Sequence, residues 1–195
     1  MYYSLYPKNF EAFVTVPNAF APHELDILED MIRTQTMTPG VVGNNETNKA
    51  IRDSRIRWIS PYNEMPWVFD RISTIIKEVN DKFFGMELSH TESVQLTEYD
   101  AEYQGFYGYH TDSRYGATGE TRYRKLSLSM QLTDPSLYEG GELLLYPDNF
   151  NNPQVASRDR GTMTLFRSHI IHEVKPVTKG VRYSFVTWCH GPLWK

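Results

Sequence analysis

His110 and Asp112 lie two positions apart in Tyr107-Gly-Tyr-His-Thr-Asp, and His172 and Arg182 follow ten positions apart near the other end of the chain. Two imidazoles and one carboxylate can grip one face of a ferrous ion and leave its other positions open, which activation of dioxygen needs. A closed structural zinc site would ask for more thiolate than the one cysteine, Cys189, can give. The planar fork of Arg182 suits a carboxylate held bidentately. These four side chains point to metal-centred oxidation in which a 2-oxo acid chelates the ion and is anchored at its far end by the guanidinium.

That chemistry requires the four groups on one wall. In a strand, His110 and Asp112 share a face. The third ligand is His169 or His172, which three-residue spacing puts on opposite faces of a strand. Thr162–Phe166 and Ile170–Val174 read as strands, followed by a turn through Thr178-Lys179-Gly180. A three-residue loop there predicts a hairpin that pairs Val177 with Val181, Pro176 with Arg182, His172 with Val186 and Ile170 with Trp188. Cross-strand partners share a face, so His172, Arg182, Ser184 and Trp188 would line one interior and His169 would not. Arg182 would sit four positions from the level of His172, roughly 13 Å along the sheet, a gap suited to a five-carbon dicarboxylate.

Taken singly, a His-x-Asp pair, a histidine in an apolar strand and an arginine are ordinary features. Their order in a strand-rich half, with Gly140-Gly141 between them, is not. Tyr107-Gly-Tyr-His-Thr-Asp112 resembles the first ligand motif of the prolyl-hydroxylase branch of the 2-oxoglutarate- and iron(II)-dependent oxygenases. Arg124-Lys-Leu-Ser-Leu-Ser-Met-Gln-Leu-Thr-Asp134 resembles the core strand that follows it there. Tyr138-Glu-Gly-Gly-Glu-Leu143 resembles the family's Gly-Gly turn. His172-Glu-Val-Lys-Pro-Val-Thr-Lys-Gly-Val-Arg-Tyr-Ser184 resembles its second ligand and oxoglutarate motif. The similarity is extensive over about Ser93 to Pro192 and weaker upstream.

The resemblance implies an α+β, mainly β fold: a double-stranded β-helix of the jelly-roll or cupin kind, with supporting N-terminal helices. It implies iron(II) held by the catalytic set His110, Asp112 and His172. It implies 2-oxoglutarate on Arg182, with Tyr99, Ser184 and Gln131 beside it, and dioxygen as second co-substrate, with ascorbate as a reductant. Gln131 stands where some of these enzymes keep a tyrosine that helps to hold the far carboxylate. Ile51–Ile59 resembles the strand-loop-strand finger that prolyl hydroxylases fold over a peptide. Arg52, Arg124, Trp188 and Trp58 would then face the target proline. Read from residues alone, Trp58 and Trp188 also fit core packing, and Arg52 also fits a solvated loop charge. Halogenating relatives lack the carboxylate at Asp112, so its presence favours hydroxylation. The expected activity is hydroxylation of an unactivated carbon, with succinate and carbon dioxide as co-products. A peptidyl proline in a protein or peptide is the first reading of the substrate. Alternatives are a free amino acid or other small molecule, a nucleic-acid demethylase, and a non-catalytic jelly-roll binding module.

The expected organisation is one domain over 1–195, with helical support and the finger loop in 1–92 and the β-helix core in 93–192. Residues 11–17 alternate as a short strand. Pro22 opens a helix with Leu25, Leu28, Met31 and Ile32 on one stripe, stopped at Thr38-Pro39-Gly40. A second helix is predicted over Pro66–Phe84 on the spacing of Val68, Phe69, Ile72, Ile75, Ile76, Val79 and Phe83, with Gly85 ending it. The polar stretch Gly43–Lys49 reads as a mobile lid, Ser113–Arg122 as an insertion at the cavity mouth, and Pro147–Arg160 as irregular.

A chain of 195 residues suits one well-buried domain. Its formal charge of −4 and lack of a basic run argue against nucleic acid as a partner, although Lys49, Arg52, Arg55 and Arg57 form a local positive stretch. One cysteine allows no internal disulfide and fits a reducing compartment. Met1–Pro7 lacks the character of a signal peptide, and no apolar run has the length of a membrane span. The expected setting is the cytoplasm, including that of a host cell if the protein is viral.

Overall fold

The computed structural model describes residues 12–43, 46–61, 64–113 and 122–192. Chain order is β1 (Phe13–Val16), α1 (Pro22–Thr34), β2 (Thr38–Pro39), β3 (Arg52–Asp53), β4 (Arg55–Ile59), α2 (Pro66–Val79), β5 (His90–Thr91), β6 (Val94–Asp100) and β7 (Phe106–His110). It continues with β8 (Arg122–Gln131), β9 (Tyr138–Gly140), β10 (Leu143–Tyr146), β11 (Gln154–Val155), β12 (Met163–Arg167), β13 (Ile171–Val174) and β14 (Val177–Pro192). Two sheets face each other. The major sheet runs β1-β12-β8-β14-β6-β4-β2, with β5 and β9 also on β14, and the minor sheet runs β11-β10-β13-β7-β3. This is the expected jelly-roll.

Both helices cover the outer face of the major sheet, because their stripes and the strands' alternate residues are apolar. In α1, Pro22 occupies the first turn, and Glu24 accepts from the Ala21 N–H at 2.7 Å in the manner of half a capping box. Leu25, Leu28, Met31 and Ile32 then face inward. In α2, Val68, Ile72, Ile75, Ile76 and Val79 do so. They meet Leu96, Leu126, Leu128, Met130, Leu165 and Phe185 in one cluster. Each such side chain contributes about 1.5–3 kcal/mol on burial. The predicted second helix is α-helical only to Val79. Asn80–Phe84 forms one π-helical turn, closed by Gly85 at φ 59° and by the Asn80 amide, which bonds both backbone groups of Met86 at 2.9 Å.

Four sequence expectations need correction or qualification. The hairpin that pairs His172 with Val186 does not form. His172 pairs with His110 and Leu145, whereas Val186 pairs with Gln95 and Ser129. Pro176 has no N–H to continue the ladder, and the chain changes sheet between Val174 and Val177; Val177, Lys179 and Gly180 then pair with β9. The 51–59 segment is two strands about a short link, as read, but they belong to different sheets. β3 joins the minor sheet through β7 and β4 joins the major sheet through β6, with Ser54 between them. The N-terminal part is more than helical support, since β1, β2 and β4 extend the major sheet. In the stretch read as a lid, Val42 and Glu46 bond each other in both directions at 2.8 and 3.1 Å, and residues 44 and 45 lie outside the described residues. Most of the proposed 113–122 insertion also lies outside them, as does residue 11. Among the described residues, no helix is long and apolar enough to cross a membrane.

Candidate metal and co-substrate site

Alternation along three neighbouring strands of the major sheet turns polar side chains away from the helices and into the space between the sheets. Gln95, Thr97 and Tyr99 come from β6, Ser129 from β8, and Arg182, Ser184 and Trp188 from β14. The minor sheet supplies His110 at the end of β7 and His172 on β13. Between them lies a cavity of about 260 Å3.

His110 and His172 are direct cross-strand partners, with rings 4.1 Å apart. Asp112 lies two residues beyond His110 and outside the strand. Its backbone N–H donates to Ser168 O at 2.9 Å, and its carboxylate accepts from Ser127 Oγ at 2.8 Å, with Ser168 Oγ 2.9 Å from Ser127 Oγ. Ligand atoms of the three residues all lie within 4.8 Å of one another. His110 Nδ1 lies 2.8 Å from Gly108 O, and His172 Nδ1 lies 2.9 Å from Ile170 O. Donation to those carbonyls fixes the proton on Nδ1 and leaves each Nε2 lone pair free for an ion. The Nε2 atoms are 3.7 and 3.4 Å from the Asp112 oxygens. His169 is exposed in the 168–170 turn, so it is His172 that joins the cluster.

The electrostatics of His110 and Asp112 suit ligation, and an ion would have to compete with a proton on His172. Burial, followed by the neighbouring His172, pushes the His110 ring down to about 3. Burial opposes charge on Asp112, but the charge and hydrogen bond of His172 outweigh it and hold the carboxyl below its usual range. Burial likewise opposes a charged His172, and Asp112 outweighs it, so that ring titrates above its ordinary value. Tyr107 stacks on His110 with centroids 3.6 Å apart.

Arg182 is 1 % exposed. Its Nε donates to Gln131 Oε1 at 3.1 Å, its Nη1 lies 3.5 Å from Ser184 Oγ, and its guanidinium sits over the Tyr99 ring. No carboxylate among the described residues pairs with it. A buried guanidinium in that state is costly unless a ligand supplies the counter-charge. The site therefore fits both groups: free imidazole lone pairs beside a carboxylate for iron, and an unanswered fork for an acid. Gln131 does not line the cavity; it holds Arg182 from behind.

The expected substrate residues also meet here, in different states. Arg52 is buried, not solvated, and lines the cavity. Arg124 is clamped by both oxygens of Glu92, at 2.5 and 2.6 Å, and stacks on Trp188 at 3.9 Å. Trp58 is 42 % exposed and tilts against the buried Trp188, so it is a rim residue rather than core. Sequence reasoning missed Glu92, Gln95, Ser127 and Ser168. A period-two polar row marks Gln95 and Ser127; Glu92 and Ser168 carry no local signal.

Comparison with known proteins agrees with this geometry. Residues 94–190 match the family model described as the 2OG-Fe(II) oxygenase superfamily. A PKHD-type hydroxylase from Shewanella sp. (strain ANA-3) is 26% identical over 185 residues, covering 90% of this chain and 76% of that one. A prolyl hydroxylase from Trichoplax adhaerens, solved with a hypoxia inducible factor oxygen degradation domain peptide fragment, superposes with a TM-score of 0.74 at 19% identity, over 91% of this chain and 83% of that one. A prolyl-4-hydroxylase from Pseudomonas putida gives 0.72 at 18% identity, over 91% and 92%. The two solved structures bear on the fold.

Proposed function

Because the chain belongs to the 2OG-Fe(II) oxygenase superfamily, using iron(II) and 2-oxoglutarate and resembling its prolyl hydroxylases, we propose that it hydroxylates peptidyl proline, with succinate and carbon dioxide as co-products. The observation that supports this reading is the convergence, in one cavity, of His110, Asp112 and His172 with an Arg182 that meets no carboxylate among the described residues. In this reading His110 and His172 ligate through Nε2, Asp112 supplies the anionic ligand, and Ser127 with Ser168 keeps that carboxylate from turning. Iron and 2-oxoglutarate held there would supply the chemistry, with dioxygen as the oxidant: one oxygen atom would take a hydrogen's place on an unactivated carbon as hydroxyl, and the other would enter succinate as 2-oxoglutarate loses carbon dioxide. Arg182, backed by Gln131, anchors the co-substrate, and Tyr99 and Ser184 flank it. Trp188 and Trp58 offer aromatic faces to a pyrrolidine ring at the mouth. The buried walls exclude water from the reacting centre.

The test is incubation of cell-extract proteins with enzyme, iron, ascorbate and 2-oxoglutarate, followed by peptide mass spectrometry. A one-oxygen gain on proline, absent with His172→Ala, is the expected result. Succinate formation with oxygen gained only on small molecules would reject the peptidyl substrate.

A further inference from the structure

The cavity holds three guanidiniums, from Arg52, Arg124 and Arg182, and their partners differ. Glu92 answers Arg124. In the proposed function the co-substrate answers Arg182, while iron and Asp112 balance the rest of the doubly charged acid. Arg52 is left over. It is 5 % exposed and pairs with no carboxylate among the described residues. Its Nε donates to Ser54 Oγ at 2.7 Å, Nη1 to Val41 O at 3.3 Å and Nη2 to Gln95 Oε1 at 2.8 Å, all uncharged acceptors. A guanidinium has five N–H donors. The two unassigned ones sit one on each terminal nitrogen, so each Nη keeps a donor to offer an anion.

Its placement is specified, not incidental. The group stacks on Tyr107 at 4.7 Å, and Tyr107 in turn stacks on His110. A Cβ at Gly40 would come 2.4 Å from Ser54 Oγ and 2.7 Å from Arg52 Nε, so only glycine leaves room for that pair. β3 carries Arg52 where the chain passes from one sheet to the other.

We infer that Arg52 reads a carboxylate on the substrate, so that the enzyme selects a proline compound bearing an acid close to the oxidised ring. This rests on the proposed function and names the chemistry of its substrate. The acid is either the proline's own terminal carboxylate or the side chain of a flanking acidic residue.

The test uses intact protein loaded with Mn(II) and saturating 2-oxoglutarate, which occupies Arg182, with probe binding followed by calorimetry. The probes are N-acetyl-L-proline against its amide, and the acetylated, amidated dipeptides Asp-Pro and Pro-Asp against their Asn counterparts. For at least one pair the acid should bind wild type about tenfold tighter than its neutral partner, the scale of a charge-assisted fork. Which pair discriminates identifies the source of the acid. Arg52→Gln should abolish the preference, Arg52→Lys should reduce it by removing the fork, and Gly40→Ala should reduce it by displacing the head group without removing its charge. Equal behaviour of acid and neutral probes on wild type, or a preference that survives Arg52→Gln, overturns the inference. Those results with 2-oxoglutarate still bound leave the proposed function standing. Failure of Mn(II) and 2-oxoglutarate to bind wild type removes both.

Discussion

Replacing Arg182 with alanine should nearly erase the thermal stabilisation that 2-oxoglutarate gives. Arg182 is 1 % exposed and its only described partners are neutral. A ligand carboxylate would therefore meet a desolvated fork, and truncating one side of such a pair costs about 2–5 kcal/mol. Taking about 3 kcal/mol, affinity falls about 150-fold. With Mn(II) present and 2-oxoglutarate at about 100 times the wild-type Kd, ligand stabilisation of wild type is about 2.7 kcal/mol. At about 2–4 °C per kcal/mol for a chain of this size, the melting temperature rises about 5–10 °C. At the same concentration the variant has less than one Kd of ligand, about 0.3 kcal/mol, and a rise of about 1 °C. Differential scanning fluorimetry over a 2-oxoglutarate series measures both. A variant that keeps the full shift refutes the argument, because some other group would then be holding the acid.

His172→Ala should lose stoichiometric metal binding and succinate production, whereas His169→Ala, on the exposed turn, should retain both; metal analysis and turnover assays check the contrast. Ser127→Ala leaves the Asp112 carboxylate short of a buried donor and should weaken Mn(II) affinity about 10–100-fold, measurable by titration, with no change if the hydroxyl is idle. Burial opposes the charge on Glu92, but His190 and Arg124 outweigh it and hold the carboxyl below its ordinary value. A depressed folded value gives stability that is fully present above the unfolded value of about 4.3 and is lost as pH falls through the lower folded value. Wild type should therefore exceed Glu92→Gln in unfolding midpoint at pH 7, and the gap should close in acid. A gap that does not depend on pH would show that the charge contributes nothing.

The site was more legible in the chain than the pairing that builds it. His110, Asp112, His172 and Arg182 announce themselves by residue type, and alternation in β8 and β14 separates polar interior residues from those under the helices. Preference for His172 over His169 survives although the hairpin behind it does not, because opposed sheets can bring His172 and Arg182 together as well as paired strands can. Local spacing cannot reveal which sheet a strand joins, and the switch at Pro176 decides that. Partners of Arg124 and Asp112 were invisible for a related reason: Glu92 and Ser168 lie 32 and 56 positions away in the chain. The bounds of α2 failed locally, where a π turn takes over from Asn80.

The two imidazoles occupy the two ends of one rung of an antiparallel ladder, with a register shift immediately beyond, before Val174. An ion gripped by both would act as a clasp between β7 and β13. The minor sheet has short strands and, among the described residues, no helix on its back, where Tyr109 and Val155 lie exposed. Metal loading should accordingly slow amide hydrogen exchange in that sheet first. Deleting one residue from β13 would turn the second imidazole toward solvent and unfasten the sheet along with the chemistry.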